Sequence, residues 1–127
     1  MMRMQNISWN KLPSGVYRVD KYTDDSMLTL ALFLEDGLGI KAYIDFLENE
    51  ELIKLIGNIS MLRKKGEFVS ILINEDIFPN MPYLEISISS LICILVEYKK
   101  LYLSQVDRIE ITIDENDHVT ITGEVIQ

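Results

Sequence analysis

Apolar and polar residues alternate through much of the first third of the chain. Leu28, Leu30, Leu32 and Leu34 share one face of a period-two repeat, and Leu38, Ile40, Ala42, Ile44 and Phe46 share another. Asp36-Gly37 lies between the two runs. That dipeptide suits a two-residue hairpin turn, because glycine accepts φ > 0. A strand over 16–22 precedes them, set between Leu12-Pro13-Ser14-Gly15 and Thr23-Asp24-Asp25-Ser26, both turn sequences. The pattern predicts an N-terminal antiparallel meander of three strands, over 16–22, 27–35 and 38–46.

The period then changes. Leu52, Leu55, Ile56, Ile59 and Leu62 fall at i, i+3, i+4, i+7 and i+10, the spacing of one helical face. Asn49 is placed to cap a helix over 48–65, with Glu50 and Glu51 in its first turn, Arg63-Lys64-Lys65 in its last and Gly66 at its stop. Acids at the start and bases at the end both complement the helix dipole, so this basic cluster has a local structural reason.

Residues 68–73 read as a buried strand, 74–82 as a loop broken by Pro79 and Pro82, and 83–88 as a further strand. Leu91, Ile94, Leu95, Tyr98, Leu101 and Tyr102 predict a second helix over 90–103, capped by Ser89 or Ser90. The strand-forming run Ile92–Val96 leaves a long bent strand through 83–98 as the alternative. Ile109, Ile111 and Ile113, then Val119, Ile121 and Val125, alternate with polar residues about the turn Glu115-Asn116-Asp117. They predict a C-terminal hairpin, with Gly123 marking a bulge. The fold class expected is α+β, an antiparallel sheet of about five to seven strands, in a single domain over 1–127.

Composition narrows the chemistry. Twenty acidic residues against twelve basic ones give a net charge of −8, with one histidine and one cysteine. One of each cannot build a Cys/His metal cluster. Cys93, in Leu91–Val96, reads as a small core side chain. The acidic balance argues against a surface that tracks phosphates, so no nucleic-acid partner is expected. No run approaches the roughly 20 apolar residues of a membrane span. The first ten residues carry one Arg and no apolar stretch, so the default expectation is a cytoplasmic protein with no membrane partner.

Catalytic constellations are not apparent. His118 shares the polar face of its strand with Thr120 and Thr122, and reads as an exposed turn residue. Adjacent acids such as Glu50/Glu51 lie in turns or at a helix start, where water keeps both ionised. Asp114–Asp117 lacks the glycine and distal Glu of a calcium loop. Phosphate-loop and nucleophile-elbow motifs are absent. No enzyme activity, metal or cofactor is therefore expected.

The reading left is a non-catalytic acidic binding protein. Its sharpest form is an intracellular immunity protein or inhibitor that neutralises a basic toxin or enzyme by protein–protein contact. Loops that carry acids beside aromatics are the candidate contacts: Asp24 and Asp25, Glu35 and Asp36, then Glu75, Asp76, Phe78 and Tyr83. Trp9, ahead of the first strand, is a candidate anchor. The alternatives are a small-ligand or lipid carrier, and a structural or assembly subunit of a phage or larger complex. Homo-oligomerisation stays open.

Overall fold

The chain follows its turn formers more closely than its apolar periods. In the computed structural model, which describes residues 4–35 and 39–126, the order is β1 (Gln5–Lys11), β2 (Tyr17–Tyr22), α1 (Asp25–Leu34), α2 (Ile40–Glu48), β3 (Lys54–Ile56), β4 (Ser60–Lys65), β5 (Phe68–Ile73), β6 (Leu84–Ser87), α3 (Ile88–Ser104), β7 (Arg108–Ile113) and β8 (Val119–Glu124). The class is α+β, with every strand pair antiparallel. The eight strands form two sheets of four, in the orders β2-β1-β7-β8 and β3-β4-β5-β6.

Each sheet buries one face. Ile7, Trp9, Ile109 and Ile111 point inward from the first, and Leu62, Val69, Ile71 and Ile86 from the second. Met27, Leu30 and Phe33 of α1 and Leu91, Ile94 and Leu95 of α3 join them in one continuous core. At about 25 cal/mol per Å² of apolar surface, such burial is the main force that holds the sheets and helices together.

Helices replace two strands of the predicted meander. Met27–Leu34 is apolar on both sides of its alternation, so a period of two did not define a half-buried strand there. Thr29 is its only β-branched residue, and Leu, Met and Ala favour helix. Asp24 starts the helix, its extended backbone (φ −156°) letting the carboxylate accept the Met27 N–H at 3.3 Å. In α2, Ile40, Tyr43, Ile44 and Leu47 also satisfy i, i+3, i+4, i+7 and face the core. The predicted Asp36-Gly37 turn lies outside the described residues.

The predicted helix over 48–65 is instead the end of α2 followed by the β3–β4 hairpin. Its reason is Gly57-Asn58, where the Gly57 N–H donates to the Ser60 carbonyl at 2.8 Å and closes the turn. Ile53, Ile56 and Ile59 are β-branched, which lowers helix propensity. Asn49 ends α2 in place of starting a helix, its side chain accepting the Glu51 N–H at 3.0 Å. Gly66 has φ +61° and is the first of the two residues between the paired Lys65 and Phe68. Glu67 keeps a negative φ, which is the pattern of a type II′ hairpin turn.

The basic cluster therefore lies on a strand. Arg63 and Lys65 are exposed, whereas Lys64 points inward and donates to the carbonyls of Phe46 (2.8 Å) and Asn49 (2.6 Å) at the end of α2. It does neutralise a helix C-terminus, from a neighbouring strand. Burial lowers its pKa, against an opposing pull from Glu50. Lys64→Met leaves two carbonyls without their donor and is expected to cost about 1–2 kcal/mol, read from urea unfolding.

The second predicted helix and the C-terminal hairpin are as expected. Ser87 caps α3 by accepting the Ser90 N–H at 3.2 Å, slightly ahead of the predicted cap. Gly123 marks no bulge, since β7 and β8 pair without a shift of register. A Cβ there would lie 2.6 Å from Leu101 Cδ2, so glycine allows α3 its close approach. The bulge is in β1–β2, at Ser8/Trp9. Cys93 is exposed, a correction to its core assignment.

Candidate functional site

One end of the protein gathers carboxylates from three places, the start of α1, β6 and the β7–β8 turn. Gln5 opens β1 opposite Ile113, so its side chain lies beside the turn that follows β7. Its amide donates to Asp24 Oδ2 (3.3 Å) and to Ser26 Oγ (2.8 Å) at the start of α1. Glu85 of β6, together with Asp114 and Glu115 of the β7–β8 turn, lines a concavity of about 380 Å³ with the same Gln5. Asp25 follows Asp24 in the first turn of α1. Among the described residues no lysine or arginine lines this concavity.

The acids divide into two groups by what they hold. Asp114 accepts the backbone N–H groups of Asn116 and His118, each at 2.9 Å. Those bonds, that from His118 first, hold its pKa below the usual carboxylate range. Its share of stability is present above the ordinary carboxylate pKa and is lost as pH falls through the lowered value. His118 is exposed, as its strand parity predicts, with Nδ1 3.5 Å from Asp114. Asp117, at φ +63°, accepts the Ser87 N–H and the Ser90 hydroxyl, both at 3.1 Å, and so ties the turn to the start of α3.

Asp25, Glu85 and Glu115 form the second group. Among the described residues their side chains enter no hydrogen bond or ion pair. All three are exposed, and only Asp25, in the first turn of α1, meets a helix dipole. Asp117→Ala, by contrast, removes the acceptor of a partly buried cap and is expected to cost about 1–2 kcal/mol in thermal or urea unfolding.

The predicted contact residues are only partly brought together. Asp24 and Asp25 belong to the acidic end. The Thr29 hydroxyl donates to the Pro82 carbonyl at 2.6 Å and seats the exposed Tyr83 near the first turns of α1. Glu75, Asp76 and Phe78 are exposed at the start of that loop, by the β3–β4 turn, where the Asn74 N–H meets the Ile59 carbonyl. Glu35 lies at the opposite end of α1, and Asp36 is outside the described residues. Trp9 is buried, at 1% exposure, and offers no surface to a partner. Glu85, Glu115 and Asp117 were missed. The signals for them were the polar side of one strand alternation and an acidic turn, which say nothing of convergence until the sheet order is known.

A second feature is a cleft of about 650 Å³ between α2, α3 and the β1–β2 turn, lined by Tyr17, Leu34, Glu35, Tyr98, Tyr102 and Leu103 among others. Burial raises the pKa of Glu35 in it. Tyr98 is shifted upward too, first by burial and then by the charge of Glu35. Among the described residues no three His, Cys, Asp or Glu side chains are grouped so as to hold a metal, and no helix is long and apolar enough to cross a membrane. The chain matches no family model, no curated protein and no solved structure.

Proposed function

We propose that this chain is a non-catalytic binding protein that takes a basic protein partner on its acidic end, in the manner of an intracellular immunity protein or inhibitor. The observation that supports it is that Glu85 and Glu115, without a side-chain partner among the described residues, line one concavity with Asp114, while Gln5 of the same concavity binds Asp24, the neighbour of the exposed Asp25. Repulsion between like charges opposes folding, and three groups that contribute no internal bond offset it only when a cation approaches. A focused negative potential speeds encounter with a basic surface more than it adds final affinity. The test is a tagged pull-down from the native host, washed at about 50 mM and about 500 mM salt. One stoichiometric basic protein, weakened by salt, supports the reading. A partner retained equally at both salts, or none, counts against it.

The cleft favours a second reading, a carrier of a small apolar ligand. Three tyrosines and two leucines supply stacking and apolar contact, and Glu35 and Lys99 are the charged groups of its lining. Native mass spectrometry of the purified protein distinguishes this reading by the mass of a retained ligand.

A further inference from the structure

The edge of the second sheet is unusually bare. β3 is its terminal strand, with β4 on one side and, among the described residues, no strand on the other. Lys64 donates its N–H to the Ile53 carbonyl, and Gly57 donates to the Ser60 carbonyl, both at 2.8 Å. In an antiparallel ladder alternate residues bond to the neighbour strand. Ile53, Leu55 and Gly57 are therefore turned toward β4, and Lys54 and Ile56 direct their N–H and C=O groups outward. Both residues are exposed, so four backbone polar groups stand open along the edge.

The side chains add to the exposure. Leu52, Ile53 and Ile56 are 47%, 63% and 68% exposed within five consecutive residues, and Lys54 is the one charge among them. The other edges are better protected. β2 carries Arg18, Asp20 and Lys21, and β8 carries threonines and Glu124. On β6 the Ser87 N–H is taken by Asp117. Charges and covered donors of this kind are how sheet edges avoid pairing, and β3 has only Lys54.

We infer that β3 is a self-association edge, at which two copies of the chain pair antiparallel about a two-fold axis through Leu55. The open groups fix the register. With the axis at Leu55, Lys54 faces Ile56 of the second copy and each pair exchanges two N–H···O=C bonds, four in all. An axis at Lys54 opposes two lysines, which is destabilising. An axis at Ile56 places Lys54 against Asn58, in the β3–β4 turn. The Leu55 register uses every open group, separates the like charges and lays the aliphatic stem of each Lys54 over an Ile56. A second copy fits because the edge is complementary to itself, and the product is one eight-stranded sheet with an isologous interface. Three paired residues make a small interface, so the dimer is weak, with a dissociation constant on the order of tens of micromolar. No residue of the acidic end takes part, so this interface stands or falls independently of the partner proposed above.

Sedimentation equilibrium from about 5 to 500 µM tests it. The expected result is a mass that rises from monomer to dimer across the range for the wild type. Lys54→Pro removes an outward donor without breaking a bond to β4 and is expected to stay monomeric with an unchanged circular dichroism spectrum. Ile56→Lys sets a second lysine across from Lys54 of the other copy and is expected to stay monomeric too, which keeps the test intact should proline disturb the hairpin. A wild type that is monomeric throughout, or a dimer that survives Ile56→Lys, overturns the inference.

Discussion

Trp9→Ala is expected to cost about 3–5 kcal/mol of folding stability, the range for deleting a large aromatic from a close-packed core. Trp9 lies on β1, which is paired on both sides, opposite Val19 of β2 and Ile109 of β7. Its ring meets Tyr98 of α3 edge-on, with centroids 5.3 Å apart and planes at 62°. The indole thus joins the first sheet to the longest helix, and its loss leaves a void bounded by strand backbone that does not collapse readily. A domain of this size has about 5–15 kcal/mol of stability in total, so the variant sits close to unfolding.

A milder substitution separates packing from polarity. The indole N–H is buried without a hydrogen-bond partner. Trp9→Phe removes that unpaired donor as it removes area, so it is expected to cost less than half as much as Trp9→Ala. Urea unfolding followed by circular dichroism measures both. Trp9 is also the sole tryptophan, so its fluorescence reports this one junction in the wild type. A Trp9→Ala protein within about 0.5 kcal/mol of wild type, the margin typical of a surface site, would mean that the ring is outside the core.

The apolar periods in the sequence were real but underdetermined. Ile40, Ala42, Ile44 and Phe46 satisfy a period of two, and Ile40, Tyr43, Ile44 and Leu47 satisfy the helical period in the same nine residues. The structure uses the second, and Tyr43, which the period of two turns to the opposite face, is buried in the core. The reverse holds at Leu52–Leu62, where a helical spacing runs across Gly57-Asn58, a turn signal strong enough to stop a helix. Elements with one reading were recovered. Ile109–Ile113 and Val119–Glu124 alternate cleanly about a polar turn. At α3, where a bent strand through 83–98 was the alternative, the buried residues Leu91, Ile94, Leu95 and Tyr98 are those of the helical face. The acidic end was half legible: Asp24 and Asp25 were visible as an acidic turn, but Glu85 and Glu115 join them only through two sheets whose strand order no local pattern encodes.

Neutralising that end, with Asp25→Asn, Glu85→Gln and Glu115→Gln combined, is expected to slow association with a captured basic partner by tenfold or more at about 50 mM salt. The same three changes are expected to leave stability within about 0.5 kcal/mol per site, because among the described residues none of the side chains holds an internal bond. Asp25 alone stands in the first turn of a helix, and losing its charge there costs a few tenths of a kcal/mol. Substitution at these three positions therefore tests partner binding without disturbing the fold, whereas substitution at Asp114 or Asp117 also removes hydrogen bonds within the fold. The difference between wild type and triple variant should shrink at about 500 mM salt, where the Debye length falls to a few ångströms and exposed charges no longer act at a distance. Stopped-flow association rates at the two salts decide the matter. Equal rates for the two proteins at low salt would show that the partner is recognised elsewhere, and would leave these three acids as plain solvated charge.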